Sequence, residues 1–502
     1  MSPVPEKTTV LVIGGGPAGS YSASVLARRG IDVTILEGAK FPRYHIGESL
    51  LASTNYFLEY IGAREKVMAY GFQKKPGATF RLRKDFPPVY SNFTDHSTGN
   101  HALNVNRAEY DDLLFRHAGS QGAKIFDEHK VNSLQFSAED SDRPTAAEWS
   151  TKAGDKGVIH FDYLIDASGR YGVISDKYHK DRKITQSLKN LAIWGYWKGN
   201  YKYGQGTDRE GAPFLEALHD HTGWAWFIPL NDKTVSIGAC IHEKYMKEKK
   251  AGKTQEEVYQ DIFSQLEMVN EYKADAVLAP SKDGAASPVY MASDFSYLAD
   301  NVGAKNYRLV GDAAAFIDPF FSNGVHIAFV GALSAALSIL SVIDGRATED
   351  GSADFHMREL KSVYMRFFVV VAAAYRQMRG GELDILNDVD EKSFDRAFAL
   401  IRPVIQGTGD IGQDSTSSGD KELTETELQA AMQFVFKLFG GEHSHAMDDL
   451  DADAKSRLKA LGDQLPFNLQ HDGVRMVLEE AQASMKAKME GYTPIQALAT
   501  PA

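Results

Sequence analysis

Apolar and polar residues alternate in blocks along the first fifty positions. Residues 8–13 form a continuous apolar, β-branched run, which predicts a buried strand of a parallel sheet. A helix is predicted from about Ala18 to Arg29, ended by Gly30, and a second strand at 32–36. Strand, turn, helix and strand in this order are typical of the first unit of a Rossmann-like fold.

Further along the chain, the pattern predicts a second sheet and then a helical region. Segments 71–105 and 186–240 favour strands, with a helix at about 108–119 and a strand pair at 124–136 between them. A helix rich in small residues is predicted at 324–340. From about residue 351 helix follows helix, with candidates at 352–380, 391–401, 423–440, 453–461 and 471–489.

Three glycines in the first turn fit the dinucleotide-binding pattern G-x-G-x-x-G. Gly14 allows the tight turn, Gly16 lets the backbone approach a pyrophosphate, and Gly19 lets helix and strand pack closely. The helix N-terminus would then point at the phosphates. Glu37 ends the second strand 18 residues after Gly19, where an acid can hold a ribose hydroxyl. The alternative is a glycine turn that fits by coincidence.

Composition narrows the class of protein without naming a reaction. The chain has 502 residues, of which 43% are hydrophobic and 24% charged, and a net charge of −12. This is an ordinary globular composition without a basic tract, so we expect no nucleic-acid partner. Cys240 is the one cysteine, so no intrachain disulfide can form and a cytoplasmic location is expected.

The N-terminus and the apolar runs bear on targeting. A strand is predicted directly after the N-terminus, which leaves no room for a signal peptide. The longest apolar run noted, at 367–375, is shorter than the roughly 20 residues of a membrane span. We therefore expect no membrane span.

Two further segments end predicted strands in short polar turns. Residues 161–170 read FDYLIDASGR and residues 307–324 read YRLVGDAAAFIDPFFSNG. The glycine pattern, the DASG element and the GDA element, in this order, resemble those of flavoprotein monooxygenases and their relatives. The resemblance implies FAD as the dinucleotide, Asp312 as a ligand of the ribityl chain, and Arg107 as a residue near the phosphates. Arg107 could otherwise be an ordinary surface residue at a helix start.

Two longer motifs point to one branch of these flavoproteins. GWAWFIP at 223–229 fits W-x-W-x-I-P, and FIDPFFSNG at 316–324 fits F-x-x-P-x-x-S-x-G. The chain thereby resembles flavin-dependent halogenases. PRYHIGES, GFQKKPGATF, FDYLIDASGR and RPVIQG resemble the fungal branch that acts on phenols. The resemblance extends from about residue 8 to about residue 410.

The resemblance assigns roles to three groups of residues. The halide-binding group is Ser322, Asn323 and Gly324, and the group that shields the flavin is Trp224, Trp226 and Pro229. The two tryptophans share one face of a strand by alternation, and could instead only pack a core. No metal site is implied. The cofactor-binding group is Gly14, Gly16, Ala18, Gly19, Glu37, Arg43, Ser49, Arg107 and Asp312.

The resemblance also implies a catalytic lysine in a K-x-G context. KPG puts Lys75 in that register, and Lys74 should point to the opposite face of the strand. Lys75 could donate a hydrogen bond to hypohalous acid as an ammonium, or carry halogen as a haloamine after losing its proton. Both forms stay open at this point, as does the alternative that Lys74, or neither lysine, is catalytic.

One position departs from the pattern of the tryptophan halogenases. Those enzymes carry a Glu just before the motif serine, where this chain has Phe321. A phenol oxygen stabilises the cationic ring intermediate by itself, so Phe321 agrees with the phenolic branch. Asp318 is the nearest acid in the motif, and it could equally cap the turn.

The sequence therefore predicts an α/β fold in two parts. Residues 1–350 form a Rossmann-like FAD-binding module of the flavoprotein monooxygenase type, interleaved with an antiparallel substrate sheet from about 71–105 and 186–300. Residues 351–502 form a C-terminal helical region.

The predicted function is halogenation of an electron-rich phenol with reduced FAD, O2 and chloride or bromide. Hypohalous acid would pass to the catalytic lysine. A separate flavin reductase is expected, because the flavin occupies the one glycine pattern noted. The alternatives are a flavin monooxygenase of the same fold and a non-catalytic flavin-binding interaction protein.

Overall fold

The computed structural model describes residues 3–378, apart from 83, 85–86 and 95–100. In this part the strands are β1 (Lys7–Ile13), β2 (Val33–Leu36), β3 (Gln73–Lys75), β4 (Gly77–Arg81), β5 (Val89–Asn92), β6 (Ala102–Asn104), β7 (Lys124–Phe126), β8 (Lys130–Phe136), β9 (Pro144–Ser150), β10 (Lys156–Asp166), β11 (Arg182–Lys198), β12 (Phe214–Ala217), β13 (Gly223–Pro229), β14 (Thr234–His242), β15 (Val277–Leu278), β16 (Val289–Ala299), β17 (Gly303–Ala304), β18 (Tyr307–Leu309) and β19 (Ala315–Phe316). The helices are α1 (Pro17–Arg28), α2 (Thr54–Tyr60), α3 (Arg64–Tyr70), α4 (Arg107–Ser120), α5 (Glu243–Lys250), α6 (Gln255–Ser264), α7 (Glu267–Lys273), α8 (Gly324–Ile343) and α9 (Glu349–Met378).

The first sheet carries the Rossmann-like unit. Its main order is β17-β18-β10-β1-β2-β7, and β8 and β9 extend it beside β10. β1 lies between β10 and β2 and pairs in parallel with both, as its continuous apolar run predicted. The carboxyl ends of β1, β10 and β18 therefore meet at one edge, where ligands bind in folds of this type.

The strand pair predicted at 124–136 is wrong in its pairing. β7 pairs in parallel with β2, whereas β8 pairs antiparallel with β9. Each segment takes a partner from elsewhere in the chain. Local alternation identifies a strand but carries no information about a distant partner.

The second sheet is mainly antiparallel. Its order is β19-β16-β11-β14-β13-β12-β4-β5, with β15 beside β11, and β12–β4 is a parallel pair. The predicted substrate-sheet segment 71–105 divides: β4 and β5 join this sheet, whereas β3 and β6 form a two-stranded sheet of their own. This small sheet carries the lysine pair at the end of β3. Because β4 of the second sheet begins two residues later, at Gly77, the lysines lie beside the second sheet.

Helix α8 confirms the helix predicted at 324–340. It is a longer apolar segment than the run at 367–375, which the sequence analysis took as the longest. It is 20 residues long with a hydropathy of 2.1, so by length and composition it could cross a membrane. However, 83% of its most apolar window is buried inside the protein, as in the core helix of a globular domain. Tyr21 of α1 stacks on Phe329 of α8 with ring centroids 4.7 Å apart.

Helix α9 begins at Glu349, next to the predicted domain boundary at 350, and corresponds to the helix predicted at 352–380. It packs against α8 and also contacts β13 of the second sheet. The helices predicted at 391–401, 423–440, 453–461 and 471–489 lie outside the described residues.

Candidate active site

The glycine turn between β1 and α1 is as tight as the sequence predicted. Gly14 has φ of +101°, and a Cβ on it would lie 2.3 Å from the carbonyl oxygen of Ala167. A Cβ on Gly19 would lie 1.9 Å from the carbonyl oxygen of Gly14. Gly16 differs, because its Cβ would meet only Arg43 Nη2, at 3.4 Å. Two glycines are thus needed by the fold, and Gly16 faces open space at the position where the pyrophosphate is predicted.

The N-terminus of α1 is left open for an anion. Gly16 is the N-cap, Pro17 follows it, and no side chain caps the helix or places a negative charge in its first turn. The first N–H groups of a helix have no intrahelical acceptor and carry partial positive charge. The backbone around Ala18 therefore offers donors to phosphate oxygens, as predicted for FAD.

Glu37 is held at the end of β2 by backbone donors. Its Oε2 accepts a hydrogen bond from Gly15 N and its Oε1 from Ala39 N, both at 2.7 Å. Each carboxylate oxygen keeps a further lone pair. Glu37 is therefore fixed beside the glycine turn with capacity for a ribose hydroxyl.

Two arginines and a buried aspartate form a cluster behind the glycine turn. Arg107 donates to both oxygens of Asp111, from Nε at 2.8 Å and Nη2 at 3.0 Å, and Arg43 Nη1 donates to Asp111 at 2.9 Å. Burial alone would raise the pKa of Asp111, but Arg107 and Arg43 outweigh it and hold that pKa below its usual value.

Arg107 is only 6% exposed, so the surface-residue alternative for it is wrong. One buried carboxylate is shared by two guanidinium groups. The cluster therefore keeps positive charge for a pyrophosphate. Asp111 was missed by the sequence analysis, although its i+4 spacing from Arg107 on a helix was a readable signal.

Asp312 lies on a short 3-10 turn, Gly311–Ala313, after β18. Burial raises its pKa, and Arg170, Arg107 and Arg182 act in the opposite direction. Arg170 Nε lies 3.8 Å from Asp312 Oδ2, and its Nη2 pairs with Asp294 at 3.0 Å. Asp312 and Arg107, distant in sequence, thus face a common region. Arg170, next to the DASG element, was missed.

Ser49 has a hydroxyl that could form a hydrogen bond with the cofactor. It bridges to Asn104 through the backbone, but its Oγ is buried and has no hydrogen-bond partner among the described residues. A buried hydroxyl without a partner is costly unless a ligand satisfies it. Together with the open Gly16 face, this fits a bound dinucleotide.

The two lysines point to opposite faces, as predicted. Lys74 is exposed and Lys75 is 2% exposed. Lys75 Nζ donates to the carbonyl of Leu50 at 2.8 Å and to Ser322 Oγ at 3.3 Å, and it lies 5.2 Å from the centre of the Phe93 ring. Burial lowers the pKa of Lys75 to about 7.

The predicted halide turn lies at the N-terminus of α8. Ser322 has φ of +58°, Asn323 is the helix N-cap, and Gly324 is the first helical residue. No side chain caps the helix, and a Cβ on Gly324 would meet nothing within 4 Å. Open backbone N–H groups at a helix N-terminus favour an anion. Since Lys75 reaches Ser322, the predicted lysine and the predicted halide turn are in contact.

An aromatic wall stands beside this turn. The rings of Trp224 and Trp226 lie 5.7 Å apart, and Trp224 meets the Phe320 ring edge-on at 5.0 Å. Trp194, which the sequence analysis missed, extends the wall at 6.5 Å from Trp226. Both predicted tryptophans share one sheet face, as alternation required. Pro229 ends the strand, and its carbonyl accepts from Asn104 at 3.0 Å.

Phe321 and Asp318, the two residues of the halide motif discussed above without an assigned role, are both buried. Phe321 packs against Phe80 and Phe320 at 5.8 and 4.8 Å. Asp318 Oδ1 accepts from Phe320 N at 3.1 Å, so it does cap the turn. Its Oδ2 accepts from Asn190 and Tyr375. Burial, followed by the nearby Asp294, raises the pKa of Asp318 to about 7.

The assumption of a single G-x-G-x-x-G pattern is wrong. GTGDIG at 407–412 also matches it. A polar segment, QDSTSSGD, follows that match in place of an apolar helix, so the context that gives the pattern meaning is missing. This second match lies outside the described residues.

Comparisons with known proteins identify the class of this chain. Residues 7–363 match the FAD binding domain family. A sulochrin halogenase of Aspergillus terreus is 45% identical over 87% of this chain and 80% of its own length. A flavin-dependent halogenase of Penicillium aethiopicum is 39% identical over 96% of this chain and 97% of its own length. The solved structure of the myxobacterial chondrochloren halogenase is 28% identical, with a TM-score of 0.69, over 86% of this chain and 98% of that one.

The fold and the glycine turn define an FAD-binding flavoprotein, and the relatives narrow that class. The chain belongs to the flavin-dependent halogenases and is an enzyme of that family. The predicted fold and the predicted use of FAD are confirmed. The halogenase prediction is confirmed against both alternatives, the monooxygenase and the non-catalytic binding protein.

Proposed function

We propose that this enzyme transfers chlorine or bromine to an electron-rich phenolic ring, with Lys75 as the catalytic residue. The observation that carries the proposal is the contact between Lys75 Nζ and Ser322 Oγ at 3.3 Å, which joins two motifs 247 residues apart. A lysine is rarely buried without a function, because desolvation of its ammonium is costly.

The chain's own residues have separate roles around the cofactor. When bound, reduced FAD supplies with O2 the oxidising equivalent that converts halide into hypohalous acid. Ser322, Asn323 and the Gly324 amide would hold the halide at the N-terminus of α8. The wall of Trp224 and Trp226 would keep a phenol away from the cofactor and would confine the oxidised halogen species, so that this species meets the ring only beyond Lys75.

Lys75 can act in either of two protonation states. As an ammonium it donates a hydrogen bond that polarises hypohalous acid towards the ring. As an amine it attacks the halogen of hypohalous acid, giving an N–halogen bond and water, and the ring carbon then takes the halogen while the ring proton leaves. Because burial lowers the pKa of Lys75 to about 7, both states are populated near neutral pH.

Aromatic side chains around Lys75 support a phenolic substrate. Phe93 lies beside its Nζ, and Phe80, Phe320 and Phe321 cluster next to Ser322. An apolar, aromatic chamber suits ring stacking. With Phe321 in place of a carboxylate, the substrate must stabilise its own cationic intermediate, which a phenol does. The name of the Aspergillus terreus relative gives it a small-molecule substrate, sulochrin.

The test is a screen of phenolic scaffolds with the enzyme, FAD, a flavin reductase, NADH and chloride or bromide. The proposal expects products with the halogen isotope pattern, and turnover that depends on the added reductase. Rapid NADH oxidation by the purified chain alone, with oxygenated rather than halogenated product, would contradict it. The cytoplasmic location stays a prediction.

A further inference from the structure

A hydrogen-bonded cluster contacts the aromatic wall at the indole nitrogen of Trp224. Its centre is Tyr375 of α9, a residue of the C-terminal region that neither halogenase motif includes. Tyr375 is 4% exposed, and its neighbours Asp318 and Trp224 are 0% and 2% exposed. These three residues come from a helix, a turn and a strand, so one side chain joins three elements.

The hydroxyl of Tyr375 uses its full hydrogen-bonding capacity. It donates to Asp318 Oδ2 at 2.7 Å. It accepts from the indole Nε1 of Trp224 and from Asn190 Nδ2, both at 2.8 Å. One donor and two acceptor positions are all that a phenol offers. Burial raises the pKa of Tyr375 well above its usual value, so the donated proton stays in place at neutral pH.

The acceptor of that proton belongs to the halide turn. Asp318 Oδ1 accepts from Phe320 N at 3.1 Å and thereby caps the turn that leads to Ser322. Trp224, on the other side of Tyr375, meets the ring of the same Phe320 at 5.0 Å. Tyr375 therefore fixes the indole of Trp224 relative to the halide turn.

The two predicted shielding tryptophans are held differently. The indole of Trp226 donates to Ser236 Oγ at 3.1 Å, on the neighbouring strand β14. The indole of Trp224 donates instead to a helix outside the sheet. The position of Trp226 is thus set within the second sheet, whereas that of Trp224 depends on how α9 packs.

We propose that Tyr375 is a positioning residue for halogenation: its hydroxyl locks Trp224 against the halide turn and so keeps the wall closed to escaping oxidant. The proposal rests on the proposed function of the wall. Without the hydroxyl, the Trp224 indole loses its acceptor and Asp318 loses one donor. We expect the cofactor to bind and react as before, and the oxidised halogen to leak away before it meets the substrate.

The chain offers a matched control. On the opposite face of the same sheet, Trp197 Nε1 donates to the hydroxyl of Tyr259 at 2.8 Å, and Tyr259 is also buried. Tyr259→Phe therefore removes a buried tyrosine hydroxyl that accepts a hydrogen bond from a tryptophan indole, as Tyr375→Phe does, but at a place away from the halide turn. Any general cost of a missing buried hydroxyl appears in both variants.

The experiment compares Tyr375→Phe, Tyr259→Phe and the unmodified enzyme with FAD bound and halide saturating. Tyr375→Phe loses three hydrogen bonds, of which the one from Trp224 bears on the wall. We expect halogenated product per flavin oxidised to fall roughly fivefold, the effect of losing that one hydrogen bond. Free hypohalous acid should rise correspondingly, with peroxide release and FAD affinity unchanged. Tyr259→Phe should keep the yield of the unmodified enzyme. Equal yields in all three proteins, or equal losses in both variants, would overturn the proposal.

A second measurement does not depend on activity. The chain has five tryptophans, so 5-fluorotryptophan labelling gives five fluorine NMR signals, and Trp224→Phe assigns the one of interest. In Tyr375→Phe the Trp224 signal should shift and broaden, while in Tyr259→Phe it should not change. An unchanged Trp224 signal overturns the positioning role even if the yield falls. If the Trp224 signal changes in Tyr375→Phe but the yield of halogenated product stays that of the unmodified enzyme, Tyr375 does position Trp224, and the shielding function of Trp224 is refuted.

Discussion

The protonation of Lys75 gives a prediction whose size follows from the structure. Its pKa is lowered from 10.5 to about 7 by burial, which corresponds to about 5 kcal/mol of preference for the neutral amine in the folded protein. Between pH 7 and 10.5 the unfolded chain binds this proton and the folded chain does not. The contribution of Lys75 to the free energy of unfolding therefore rises with pH across that window.

Replacing Lys75 with Met removes the buried charge and keeps most of the volume. At pH 6 we expect Lys75→Met to be more stable than the unmodified protein by about 5 kcal/mol, and at pH 9 by about 2 kcal/mol. Lys74→Met is the control, because Lys74 is exposed and should show no comparable pH dependence. Urea unfolding of the three proteins at both pH values measures the differences.

A direct titration completes this test. Lysine labelled with carbon-13 at Cε should show one NMR signal with a midpoint near pH 7 that is absent from Lys75→Met. A Lys75 signal that titrates near pH 10.5, together with a stability difference that is the same at pH 6 and pH 9, would refute the reasoning about burial.

Two further substitutions test the cofactor site and the halide motif. Gly16→Val should fold, because Gly16 has φ of −67° and a Cβ there meets only Arg43. The variant should nevertheless purify without FAD. Full flavin absorbance in that variant would mean that the turn does not hold the pyrophosphate. Phe321→Glu should lower the melting temperature and should not raise turnover, because a carboxylate between Phe80 and Phe320 lacks a partner. A several-fold gain in turnover with an unchanged melting temperature would contradict our account of the missing acid.

Local patterns in the sequence predicted a large part of this site. The glycine turn, the opposite faces of Lys74 and Lys75, and the shared face of Trp224 and Trp226 follow from the period of a strand or from the geometry of a turn. The choice of Lys75 as the inward lysine came from the resemblance to the halogenases. These features depend on residues within a few positions of one another, which is why the sequence alone predicted them.

The features that the sequence did not predict depend on distant partners. β7 and β8 look like neighbours in a hairpin, yet each pairs with a strand from elsewhere. Arg170 and Tyr375 join the site through contacts with residues more than 100 positions away, and Trp194 joins it through Trp226 on another strand. Such contacts are set by how the two sheets and α9 pack, and the hydrophobic periodicity of a single segment does not predict them.

The central claim is that Lys75 carries out the halogen transfer, and its most direct test is the yield of halogenated product per flavin oxidised in Lys75→Ala and Lys74→Ala. Both changes remove one positive charge at adjacent positions, so they share any general effect of charge. The account predicts that Lys75→Ala loses the product while still binding FAD and oxidising it with O2, and that Lys74→Ala keeps most of the yield. A yield from Lys75→Ala comparable to that of the unmodified enzyme would contradict it.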